Sequence, residues 1–146
     1  MIPDFNESGL LPPGIHTADW PEIVARFGGN GQRRALLRGL RRALAALQAA
    51  GCITVYLNGS FVTATSSPAD YDLCWSIVGV DVNALDPVLL ALDQGRRAMK
   101  AKYMGDLFPA ELPEGVSGQV FLEFFQIDKQ TGNAKGILMI DLRGLP

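Results

Sequence analysis

The chain predicts an α+β domain: a mixed sheet of about four strands, flanked by helices. Three observations carry this. Leu37, Leu40, Leu44 and Leu47 repeat at helical spacing and demand a long amphipathic helix. Two short β-branched and aromatic runs follow, separated by a turn-rich stretch. The order helix, strand, strand, helix, strand, strand fits neither a βαβ array nor an all-β fold. With 146 residues, 48% hydrophobic and 19% charged, the chain is long enough to bury a core and too apolar to be disordered.

Residues 1–16, rich in Gly and Pro, predict an extended arm ahead of a single domain over 17–146. Thr17 or Asp19 caps a short helix to Phe27, with Pro21 in its first turn. Gly28-Gly29-Asn30-Gly31 is a break. The leucine repeat predicts a helix over 32–50, with Arg34, Arg38, Arg41 and Arg42 on its far side and Gly51 as the glycine that ends it. Ile53 to Leu57 reads as a buried strand, Phe61 to Ala64 as one helical turn, Thr65 to Ala69 as a polar loop, and Tyr71 to Val78 as a second strand. Asp86-Pro87 opens a second helix that places Leu85, Val88, Leu89, Leu92 and Met99 on one face and is weakened at Gly95. A loop is expected over 105–118, a third strand over Val120–Ile127, a turn at Lys129–Asn133 and a fourth strand over Gly136–Leu142.

Several function classes drop out on composition. The net charge of −2 supplies no global basic field for nucleic acid. No apolar stretch approaches the ~20 residues of a membrane span, so no membrane partner is expected. Met1-Ile2-Pro3-Asp4 has neither a basic nor an apolar leader segment, and Cys52 and Cys74 fall in or beside apolar runs. Together they predict a cytoplasmic protein with reduced core thiols. One His and two separated Cys cannot build a usual zinc site.

The chemistry concentrates in Asn58-Gly59-Ser60-Phe61 and, eleven residues past the glycine, Asp70-Tyr71-Asp72. A tight Gly-Ser turn offers backbone N–H groups and a hydroxyl to phosphate, and two carboxylates on one face of a strand repel unless a cation neutralises them. Mg²⁺ suits such a pair, because it takes oxygen ligands from one or two carboxylates plus substrate phosphates. Glu123, alone in the apolar run Val120–Gln126, needs a cation or water and completes a three-acid cluster able to hold two Mg²⁺ if its strand neighbours the aspartates. Asp81 and Asp128 are substitutes for that third position.

These residues resemble the nucleotidyltransferase superfamily related to DNA polymerase β, whose signature is hydrophobic-Gly-Ser, then D-h-D opening a strand, then a third acid on a later strand. The resemblance implies a nucleotidyltransferase-like sheet and a transfer of a nucleoside monophosphate, most simply AMP from ATP, to an acceptor hydroxyl on protein, RNA or a small molecule. It assigns Gly59 and Ser60 to the triphosphate, Asp70 and Asp72 to Mg²⁺, and Glu123 to the acceptor. Leu11-Pro12-Pro13-Gly14-Ile15-His16 and the layout also look like a small bacterial family of nucleotidyltransferase-like proteins with an L-P-P-G-x-H start, which brings no substrate with it. Lys100 and Lys102 are further candidates for phosphate, and Tyr103 for stacking on a base.

Two departures favour a second class. Val62-Thr63-Ala64-Thr65 stands where many members carry another glycine, and the chain has no room for accessory domains that grip the acceptor. The alternative is therefore a catalytically degenerate binding module, such as a toxin–antitoxin or phage-defence component. A third option is RNA binding along the arginine stripe, which otherwise serves as a solubilising face.

Overall fold

The computed structural model describes residues 1–92 and 94–146. Its strands are β1 (Gly14–Thr17), β2 (Thr54–Asn58), β3 (Tyr71–Trp75), β4 (Gly105–Pro109) and β5 (Gly136–Asp141). Its helices are α1 (Trp20–Phe27), α2 (Gly31–Ala49), α3 (Arg97–Tyr103) and the single turn α4 (Phe121–Phe124). The five strands form one mixed sheet in the order β1-β5-β2-β3-β4. β1 pairs parallel with β5, and β4 parallel with β3; β2 runs antiparallel to both β3 and β5.

Local chemistry explains the helices. The Asp19 side chain accepts from the Glu22 N–H while Glu22 reaches back to the Asp19 N–H, a capping box with Pro21 in the first turn. Asn30 caps α2 by accepting from the Arg33 N–H at 2.9 Å. Leu36, Leu37, Leu40, Leu44 and Leu47 are buried on one face. Gly51, at φ +94°, supplies the left-handed residue past its end.

The sheet has two unequal faces. Val55, Leu57, Tyr71, Leu73, Trp75, Leu107, Leu138 and Ile140 join the buried stripes of α1, α2 and α3 in the main core. The opposite face carries a small cluster of Cys74, Phe108, Ala110, Phe121 and Phe125. Strand alternation sends Asp72 to this second face, two residues before Cys74.

Four expectations need correction. The extended arm is not separate from the domain: β1 begins in it and joins the sheet, and Leu11 is 1% exposed in the core. Pro12-Pro13-Gly14 shows no strand alternation, so only pairing to β5 reveals it. The 105–118 loop begins with β4, whose five residues are all buried. The expected strand over 120–127 is α4, with the Phe124 and Phe125 amides bonded to the Val120 and Phe121 carbonyls. A short apolar run does not by itself distinguish the two structures. The second helix is interrupted: Pro87–Leu90 is a 3₁₀ turn, α3 starts only at Arg97, and Gln94, Arg96 and Met104 take left-handed backbone. Among the described residues no helix is long and apolar enough to cross a membrane.

Candidate functional site

β2 ends at Asn58, and the chain turns sharply at Gly59, whose φ of +82° favours a residue without a β-carbon. A β-carbon there would stand 2.5 Å from Asp72 Oδ2, so the carboxylate lies directly against the turn. Ser60 opens a 3₁₀ turn through Val62 and is exposed. Asn58 and Asp72 are register partners across β2 and β3, and Asp72 and Asp106 are partners across β3 and β4. One row of three neighbouring strands thus carries an amide and two carboxylates on the same face, and Asp70 flanks it just before β3.

The third acid is Asp106, not Glu123. Once 120–127 is a helical turn rather than a strand, nothing brings Glu123 into the row, and it is exposed on α4. Asp106 was hidden because it lies in β4. The signal available was a lone acid beside Leu107-Phe108, and the parallel register that aligns it with Asp72 is not readable from spacing. Asp81 and Asp128 serve turns instead: Asp81 accepts from the Asn83 N–H, and Asp128 accepts from the Thr131 hydroxyl at 2.8 Å.

The Asp72 carboxylate has no hydrogen bond or ion pair among the described residues. Burial pushes its carboxyl up to about 6, and repulsion from Asp70 and Asp106 adds to this; Lys129 and Lys135 pull the other way. Asn58 is fully buried beside it, and its Oδ1 has no partner while its Nδ2 donates to the Tyr56 carbonyl at 3.2 Å. Asp106, nearly buried, accepts from Arg96 Nε at 2.9 Å. Lys100 Nζ lies 3.5 Å from Asp106 and 3.7 Å from Asp70, bridging the two. No group of three His, Cys, Asp or Glu side chains among the described residues converges closely enough to enclose a metal ion. The chemistry of the donors nonetheless fits Mg²⁺: all are hard oxygens, and the central one is a half-buried carboxylate with no cation paired to it among the described residues.

Two cavities adjoin the row. The first, about 290 Å³, is lined by Gly59, Ser60, Thr63, Thr65, Gln130 and Lys135 among others. Lys135 is half-buried, and desolvation lowers the pKa of its ammonium against the opposing pull of Asp128 and Asp72. The second, about 430 Å³, is lined by Asp72, Asp106, Arg96, Lys129 and four phenylalanines. Asp72 lines the second cavity and lies against Gly59 of the first, so both cavities adjoin this carboxylate.

The other nucleotide-site candidates separate. Lys100 belongs to the acid row. Lys102 points elsewhere, 2.6 Å from Asp86. Tyr103 cannot stack on a base: it is 3% exposed, its hydroxyl bonds Asp86, and its carbonyl accepts from Tyr71. The arginine stripe is largely tied to backbone, since Arg34, Arg41 and Arg42 donate to the carbonyls of Gly28, Pro146 and Lys102.

Arg33 is another residue that sequence reasoning missed. It is 6% exposed and donates to the Phe61 carbonyl at 2.7 Å, the Thr63 carbonyl at 3.0 Å and the Thr65 carbonyl. Asn30 and Gln32 hold the Ser66 and Pro68 carbonyls at 2.6 and 2.9 Å. The start of α2 therefore grips the whole segment joining the glycine turn to the aspartates. The cue was phase: Arg33 stands four residues before Leu37, in step with the apolar stripe.

Residues 3–141 match a family whose description is "Family of unknown function (DUF6932)". No curated protein and no solved structure matches the chain.

Proposed function

The chain belongs to this family of unknown function, and we propose that it is a Mg²⁺-dependent nucleotidyltransferase moving a nucleoside monophosphate, AMP from ATP, to an acceptor hydroxyl. The observation that carries this is Asp72, a half-buried carboxylate with no ion pair among the described residues, lying against a glycine turn, in register with Asp106 and flanked by Asp70. Gly59, Ser60 and Lys135 hold the phosphate chain in the first cavity, and Arg33 keeps that loop in place from behind. Asp72, with Asp70 and Asp106 flanking it, would hold Mg²⁺ together with the substrate phosphates, and the ion would supply charge stabilisation at the phosphoryl oxygens. Asp106, farther from the turn, takes the role of the third acid and orients the attacking hydroxyl. Rate enhancement then comes from positioning and fixed charge rather than from covalent chemistry by the protein.

One observation favours a second reading. Lys100 and Arg96 already pair with Asp70 and Asp106, as they would in a degenerate module that binds a partner without catalysis. Calorimetry separates the two. The enzyme gives heat with ATP only when Mg²⁺ is present, and Asp70→Asn or Asp72→Asn abolishes it. Absence of ATP binding with and without Mg²⁺ would overturn nucleotidyl transfer.

A further inference from the structure

We propose that the larger cavity is the acceptor pocket, and that the acceptor carries its hydroxyl on a flat aromatic ring, as a phenol does. This rests on the nucleotidyl-transfer reading for its role in the reaction, though not for the ring site itself. Position comes first. Phosphoryl transfer needs attacking and leaving oxygens roughly in line. If the phosphates lie by Gly59 and Ser60, the attacking oxygen must enter from beyond Asp72. The 430 Å³ cavity lies there, with Asp72 and Asp106 on one wall.

Its chemistry selects the acceptor. Phe108, Phe121, Phe124 and Phe125 make the apolar wall, and Leu92, 39% exposed, lies at its edge. Phe108 and Phe121 stack at 4.6 Å, and Phe124 meets Phe125 edge-on at 5.3 Å. Two ring faces are turned toward the cavity's cations: Arg96 sits 5.4 Å from the Phe108 centroid, and Lys129 5.7 Å from that of Phe124. A flat ring fits such a wall through offset stacking and edge contacts, while a sugar or short aliphatic alcohol would leave it unmatched. The volume is in the range of small-molecule sites. A lining that joins the carboxylates of Asp72, Asp106 and Glu114 to four aromatic rings suits a molecule that carries a hydroxyl on a ring.

The step balances. The phenolic oxygen forms a bond to the α-phosphorus as the bond from that phosphorus to the bridging oxygen of the β-phosphate breaks. The hydroxyl proton passes to the Asp106 carboxylate and then to water, and pyrophosphate leaves with the electron pair.

The test uses NMR titration of the full chain with 4-hydroxyphenylacetamide and with its cyclohexanol counterpart, alongside ATP and inorganic tripolyphosphate. The phenol should shift the phenylalanine ring signals and bind at least about fivefold more tightly than the saturated ring, the scale of one aromatic contact. Phe124→Leu, which keeps the bulk, should remove that preference and leave ATP affinity unchanged; Phe124→Ala should weaken the phenol further. Equal binding of both rings, or no phenol binding while ATP binds, overturns the proposal. So does a Phe124→Leu variant that loses ATP but keeps tripolyphosphate, because the ring pocket would then belong to the nucleobase. Phenol binding in a protein that ignores ATP and tripolyphosphate would sink nucleotidyl transfer while leaving the ring site in place.

Discussion

Asp72→Asn should make the protein more stable at neutral pH, although it deletes the central residue of the site. The carboxyl is pushed from 3.8 to about 6, first by burial and then by Asp70 and Asp106. A tenfold change in the protonation equilibrium is worth about 1.4 kcal/mol, so holding this group ionised costs the fold ~3 kcal/mol. The sign follows from proton binding. The unfolded chain releases this proton near 3.8 and the folded protein keeps it to about 6, so the folded state binds more protons within that window. Stability from this group is present at low pH and is lost as pH rises through about 6. An amide carries no charge, but as a partly satisfied polar group it takes back about 1 kcal/mol.

The net expectation is a gain of ~2 kcal/mol at pH 7.5, or roughly 4–8 °C in Tm for a chain of this size. Near pH 4 the difference should shrink to about zero, because the folded wild type is then neutral at this position. Thermal denaturation of both proteins at the two pH values measures this. Using the difference between them cancels the opposite trend from Asp86 and Asp141, whose pKa values are lowered, by Asp86's bonds from Lys102 and Tyr103 and by Asp141's from Arg143. Saturating Mg²⁺ should stabilise the wild type at pH 7.5 and leave the variant unmoved. A variant less stable than wild type at pH 7.5, or a gain equal at both pH values, would refute the account of Asp72 as a strained carboxylate.

Two further changes probe the surroundings of the row. Lys100→Gln removes the ammonium that bridges Asp70 and Asp106, so Mn²⁺ affinity measured by calorimetry should rise about three- to tenfold if that ammonium competes with the metal. An unchanged or weaker affinity would make Lys100 a fixed part of a non-catalytic site. Arg33→Met strands the Phe61, Thr63 and Thr65 carbonyls and should cost about 3 kcal/mol in urea denaturation. It should also weaken tripolyphosphate binding more than Mn²⁺ binding, because the loop it holds lines the first cavity.

What could be read in advance divides along physical lines. Features fixed by neighbours in sequence were legible: the leucine stripe of α2, the Asp19 cap and the glycine turn all follow from local period and backbone chemistry. Features fixed by distant pairing were not. β1 becomes a strand only because β5 lies beside it, and β4 only because β3 does, so both passed for loop. The misplaced third acid follows from that one failure. Glu123 looked buried because Phe121, Leu122, Phe124 and Phe125 surround it, yet a helical turn sends those phenylalanines into the cavity wall and the glutamate to solvent. Asp106 fell in the expected loop over 105–118, yet parallel pairing carries it next to Asp72. The same exchange that removed one acid from the row also supplied the aromatic wall beside it. The composition of 120–127 therefore carried information about the wall of the cavity beside the row rather than about an acid within the row.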